Sequence, residues 1–130
     1  MRETTGTTIL VVDDEVDMRL LVRAVIDMAD HGLTIVGEAE DGLEAVTAWR
    51  DLGGPPVPDV IVLDNRMPRL TGIEAAERIL AERPDQLIVL YSSFLDDTVR
   101  RDADAVGIAR CVSKENLSDL PTVIREMCAA

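Results

Sequence analysis

Three stretches of the chain are apolar throughout: Ile9–Val12, Val60–Leu63 and Leu87–Leu90. Each is too short for a helix and rich in β-branched residues, which predicts strands buried on both faces, as in parallel sheets. Two mixed runs, Leu33–Val36 and Arg110–Ser113, predict edge strands. Between the strands, apolar residues recur at helical spacing: Met18, Leu21, Val22, Val25 and Met28, then Leu43, Val46 and Trp49 within 41–52. The pattern continues with Ile73, Ala76 and Leu80, with Leu95, Val99, Ala103 and Val106, and with Leu117, Leu120, Ile124 and Met127. Met18, Met28 and Met127 are accordingly expected in the core. Gly53-Gly54-Pro55-Pro56-Val57-Pro58 suits neither helix nor strand and reads as a surface loop before the third strand.

Strand and helix thus alternate five times. With right-handed crossovers this gives an α/β fold, a doubly wound five-stranded parallel sheet with helices on both faces. Placing the three fully apolar strands inside and the two mixed ones outside selects the order 2-1-3-4-5. A length of 130 residues suits one domain, taken as 1–130.

Composition narrows the function. The chain carries 25 acidic against 13 basic residues, a formal net charge of −12. Such a surface repels phosphate backbones and anionic lipid, so neither nucleic acid nor a membrane surface is an expected direct partner. No apolar run approaches a membrane span, and Cys111 and Cys128 form neither a disulfide framework nor a metal-ligand pattern. A cytoplasmic domain is expected. His31, before Gly32, reads as a cation at the end of the first helix.

In a doubly wound sheet the binding crevice lies beyond the carboxyl ends of the strands, at the switch point between strands one and three. Strand one runs out at Asp13-Asp14-Glu15, strand three at Asp64, strand four at Ser92-Ser93 and strand five at Lys114. Single polar strand ends are common, but these converge. Clustered carboxylates resist full ionisation, and an oxygen-liking divalent cation such as Mg²⁺ relieves the repulsion. A carboxylate beside a metal with open positions suits phosphoryl transfer, with Lys114 as a second positive charge and Ser92 as a hydrogen-bond donor.

The motifs Ile9-Leu10-Val11-Val12-Asp13-Asp14-Glu15, Val62-Leu63-Asp64-Asn65-Arg66-Met67-Pro68 with Thr71-Gly72, Val89-Leu90-Tyr91-Ser92-Ser93 and Val112-Ser113-Lys114 occur in that order over most of the chain. In this the chain resembles the CheY-like receiver domains of two-component response regulators. The resemblance implies a signalling switch rather than an enzyme acting on a separate substrate. Asp64 is then the phosphoacceptor, with Asp13, Asp14, Asp64 and the backbone carbonyl of Arg66 holding Mg²⁺. Ser92 is the switch hydroxyl and Lys114 the phosphate contact. The implied partner is a sensor histidine kinase or a phosphotransfer protein, and phosphorylation-dependent homodimerisation is a further option within the family.

Three departures from the family pattern stand out. Cys111 occupies the place of an aromatic switch residue, three positions before the lysine. Glu115 follows Lys114 where many receivers have proline, which resembles receivers of the NarL-type helix-turn-helix regulators. The Gly53–Pro58 loop is long, but the topology puts it at the far end of the sheet. Arg66 either pairs with the phosphoryl group or extends into solvent. Competing readings are a degenerate receiver that works by binding alone and a Mg²⁺-dependent phosphohydrolase with an aspartyl nucleophile. The phosphohydrolase expects a second acid where Arg66 stands. A flavodoxin-like carrier expects a Ser/Thr/Gly-rich loop where Asp13-Asp14-Glu15 stands.

Overall fold

The computed structural model describes residues 6–29 and 32–129; His31 lies outside them. The elements are β1 (Thr7–Val12), α1 (Val16–Ala29), β2 (Leu33–Ala39), α2 (Gly42–Leu52), β3 (Val60–Asp64), α3 (Gly72–Glu82), β4 (Leu87–Ser92), α4 (Asp97–Val106), β5 (Arg110–Ser113) and α5 (Leu120–Ala129), with a 3₁₀ segment, Lys114–Asp119, leading into α5. All strand pairs are parallel and the order is β2-β1-β3-β4-β5. Among the described residues no helix is long and apolar enough to cross a membrane.

Side chains alternate across the sheet and feed two cores. Leu10, Val12, Ile61, Leu63, Ile88 and Leu90 face α2, α3 and α4. Ile9, Val11, Val60, Val62, Val89 and Val112 face α1 and α5. Full burial of each such aliphatic stabilises the fold by roughly 1.5–3 kcal/mol.

Two expectations are corrected. Met28 is 87% exposed and Leu21 52% exposed, because α1 buries Val22 and Ile26, with Met18 packed beside them. At about 100° per residue, Met28 lies about 200° round the helix from Ile26 and so points outward. β2 runs three residues past Val36, to Ala39. Its added Glu38 is no strand breaker: on this edge it faces solvent and pairs with Arg19 and Arg23 of α1, and Arg23 chiefly holds its carboxyl below the usual range despite partial burial.

The far end of the sheet is closed by buried Gln86. Its amide oxygen accepts from Trp49 Nε1 at 2.9 Å and its nitrogen donates to the Pro58 carbonyl at 3.2 Å. Arg83 stacks over the Trp49 ring and donates to the Gly54 carbonyl at 2.8 Å, which seats the Gly53–Pro58 loop away from the carboxyl ends of the strands.

The start of α3 fixes the turn after Asp64. Thr71 and Glu74 form a reciprocal capping box. The Gly72 N–H donates to the Asn65 carbonyl at 2.9 Å, and the Ile73 N–H to Asn65 Oδ1 at 3.2 Å. A Cβ at Gly72 would stand 2.2 Å from the Asp64 carbonyl oxygen, so only glycine lets the helix approach. Gly72→Ala is therefore expected to lower the urea-unfolding free energy by about 1–3 kcal/mol; a midpoint equal to wild type would show that the close approach is dispensable.

Candidate functional site

The two-residue period of the strands builds the site. Val11, Val62, Val89 and Val112 all face the α1/α5 core. Two positions further along stand Asp13, Asp64, Tyr91 and Lys114, which brings all four toward one face at the carboxyl edge of the sheet. Register aligns three of them, since Val12 pairs with Leu63 and Asp64 with Tyr91. Tyr91 pairs in turn with Val112, so Lys114 starts two residues further along and reaches the carboxylates with its long side chain. Ser92 belongs by the same period to the opposite face, with Leu90.

Asp13, Asp14 and Asp64 each bring one carboxylate oxygen within 4.8 Å of the others. Asp13 and Asp64 are buried and Asp14 is open to solvent. Lys114 Nζ lies 3.1 Å from Asp13 Oδ2 and 3.2 Å from Asp64 Oδ1. The other Asp13 oxygen accepts the Glu15 N–H at 2.9 Å, and the Asp13 carbonyl accepts from Arg19 at 2.7 Å. Four of the sequence-predicted side chains therefore meet. Ser92 is buried nearby on β4, where its hydroxyl donates to the Phe94 carbonyl at 3.3 Å and accepts the Phe94 N–H at 3.1 Å. Arg66 is exposed at the rim, where its guanidinium lies over the Phe94 ring, 5.0 Å from the ring centre. Cys111 is half-buried against the α2/α3/α4 core, and burial pushes its thiol above the ordinary range. This is packing rather than an activated thiolate.

Charge is unbalanced here. Burial first, and the Asp13 charge second, push Asp64 up to about 6, although Lys114 pulls the other way. Burial alone would lower Lys114, but its bonds to Asp13 and the charge of Asp64 outweigh it, so the ammonium is held above its usual range. The donor set is all oxygen, partly solvent-facing and short of positive charge. Those are the requirements of a hard divalent cation, and the three aspartates could hold one.

Tyr91 is the residue whose part in the site the strand-end reading did not find. It is fully buried, its hydroxyl donates to Asp13 Oδ2, and its ring lies 5.0 Å from Lys114 Nζ. The available signal was a phenol at the end of an otherwise aliphatic strand, since a buried Tyr hydroxyl demands a polar partner.

Known proteins resemble this chain in sequence and fold. The family described as the response regulator receiver domain matches residues 9–125. The transcriptional regulatory protein PdtaR of Mycobacterium tuberculosis is 36% identical over 112 residues, which cover 86% of this chain and 52% of that protein. The chemotaxis protein CheY of Listeria monocytogenes is 34% identical over 111 residues, 85% of this chain and 88% of its own. The crystal structure of the response regulator domain of Thermotoga maritima CheB superposes with a TM-score of 0.86 at 29% identity, covering 97% and 98% of the two chains. This chain thus spans about half the length of PdtaR and most of the Listeria protein.

Asp64 titrates at 3.8 when unperturbed and at about 6 in the fold, so the native state binds its proton more tightly than the unfolded chain does. Its ionisation consequently removes stability as pH rises through that window. In metal-free buffer Asp64→Asn is expected to be more stable than wild type by on the order of 2 kcal/mol above about pH 6, and by almost nothing near pH 4. Urea titrations at both pH values check this, and equal stability at the higher pH would refute the strain.

Proposed function

The chain belongs to the response regulator receiver domain family of two-component signalling, and from that footing we propose that Asp64 accepts a phosphoryl group. The carrying observation is the buried pairing of Asp64 and Asp13 around one lysine, with Asp64 driven toward its proton by burial first and by the Asp13 charge second. Asp13, Asp14, Asp64 and the Arg66 carbonyl are assigned to Mg²⁺. When bound, Mg²⁺ supplies charge that lets Asp64 stay ionised and offsets the phosphoryl oxygens.

An Asp64 carboxylate oxygen attacks phosphorus of a phosphohistidine on a sensor kinase or phosphotransfer protein. The O–P bond forms as the P–N bond breaks, and the imidazole leaves. The aspartyl phosphate then competes for Lys114 and for the Ser92 hydroxyl, whose 3.3 Å bond to the Phe94 carbonyl is long and readily given up. Because Ser92 also holds the Phe94 N–H, its movement pulls on the segment leading into α4. Taking such a switch from almost all inactive to almost all active needs about 5.5 kcal/mol, within reach of a few charge-assisted bonds of roughly 1.5–3 kcal/mol each. The readout is the α4–β5–α5 surface, with Cys111 in place of an aromatic reporter.

The donor meets the pocket beside α1. Val16, directly after Asp14-Glu15, and Leu20, about one helical turn further on, are both more than half exposed and offer an apolar rim beside the acidic mouth. Residues 1–130 are assigned to one cytoplasmic receiver unit, whose net charge of −12 leaves any nucleic-acid contact to other segments or partners.

Intact mass after incubation with Mg²⁺ and acetyl phosphate should show one added phosphoryl group, absent from Asp64→Ala and from a metal-free sample. No adduct, from this donor or from a kinase, would turn the reading to a degenerate receiver that acts by binding. Arg66, held on Phe94 at the rim, is assigned to shielding the acyl phosphate, so Arg66→Ala should shorten the phosphoryl lifetime; an unchanged lifetime would return Arg66 to a surface role.

A further inference from the structure

Tyr91 is the chain's single tyrosine, and it touches both charged partners at the heart of the site. Its hydroxyl donates to Asp13 Oδ2, the same oxygen that Lys114 Nζ approaches at 3.1 Å, while its ring face lies 5.0 Å from that ammonium. A phenylalanine would fill the same core volume without a buried hydroxyl to satisfy. The phenol is thus an addition that packing alone does not call for.

Consider the carboxylate it holds. Asp13 is fully buried, and three donors converge on its two oxygens: the Glu15 N–H on Oδ1, and Tyr91 and Lys114 on Oδ2. A carboxylate offers about four lone-pair positions, so three fixed donors set its plane and leave one direction for a further partner. Without the phenol, Lys114 would be the only side-chain donor on Oδ2. The ammonium would settle more firmly on Asp13, cancel more of its charge, and leave the carboxylate freer to turn. Both changes weaken the pocket's hold on a cation.

We propose that Tyr91 is a positioning residue of the metal site, its hydroxyl orienting Asp13 and its ring seating Lys114 so that the ammonium is shared between Asp13 and Asp64. This deepens the reading that the three aspartates hold Mg²⁺ and rests on it. Hydrogen-bonding partners that orient metal ligands typically alter metal affinity by 10–100-fold when removed.

The test is Mg²⁺ binding by calorimetry to the wild-type chain and to Tyr91→Phe, with no phosphodonor present. In parallel, Mg²⁺ is titrated into wild type carrying ring-labelled tyrosine, which gives one NMR signal. The expected results are an affinity about tenfold weaker in Tyr91→Phe and a tyrosine signal that shifts with the calorimetric midpoint. A Tyr91→Phe affinity equal to wild type, or a tyrosine signal unmoved at saturating Mg²⁺, overturns the proposal. Should Tyr91→Phe fail to fold, the wild-type signal decides alone. Absence of Mg²⁺ binding to wild type would overturn the metal reading itself, and this inference with it.

Discussion

Parallel strands held in register deliver Asp13, Asp64 and Tyr91 to the same height, each two positions beyond a buried valine. Lys114, two positions beyond Val112 and just past the end of β5, reaches the two carboxylates with its long side chain. Three of these ionise, and they arrive where the sheet has already excluded water. Two buried carboxylates share one ammonium, with a third acid, Asp14, at the open side. Most of the site's properties follow from that burial and from the shortage of positive charge that comes with it. Asp64 is drawn toward its proton, Lys114 is pinned as a cation, and a divalent ion or a rearrangement of the lysine becomes favourable. Slippage of one strand by one residue would turn its contribution into the wrong core.

The same alternation divides the site between two faces. Asp13, Asp64, the phenol and the lysine continue the α1/α5 side, whereas Ser92 continues the side packed by α3 and α4. Chemistry at Asp64 thus has a hydroxyl neighbour rooted in the opposite core, bonded to the Phe94 backbone one short step before α4. The turn after Asp64 is braced separately by Gly72 and Asn65 against α3. A braced Asp64 therefore faces a loop held through the two Ser92–Phe94 bonds.

Much of this was legible in the chain. Runs such as Val60–Leu63 have no polar position, so their burial on both faces and their central place followed directly, and the strand order followed from them. Asp13, Asp14, Asp64, Ser92 and Lys114 were legible as strand ends, because topology alone decides where strand ends converge. Side-chain direction on a helix was less so. In α1, Leu21 and Met28 are as apolar as Val22 and Ile26, and only the sheet against which the helix rests selects between overlapping stripes. β2 continues beyond the apolar run Leu33–Val36 through Gly37-Glu38, because an edge strand tolerates an outward glutamate that α1 arginines neutralise. The pairings of Tyr91 with Asp13 and of Gln86 with Trp49 join residues 78 and 37 positions apart, and no local pattern announces them.

The chain has one tryptophan and one tyrosine, and β4 keeps them apart. Trp49 is tied to Gln86, just before the strand begins, and Tyr91 lies one residue before it ends. The indole reports on the loop end of the molecule, where Gly53–Pro58 is anchored, and the phenol reports on the acidic end. Fluorescence from the indole therefore follows the packing around Gln86 and Arg83 at the loop end of the sheet. The protein carries two native optical labels, one seated at each end of β4.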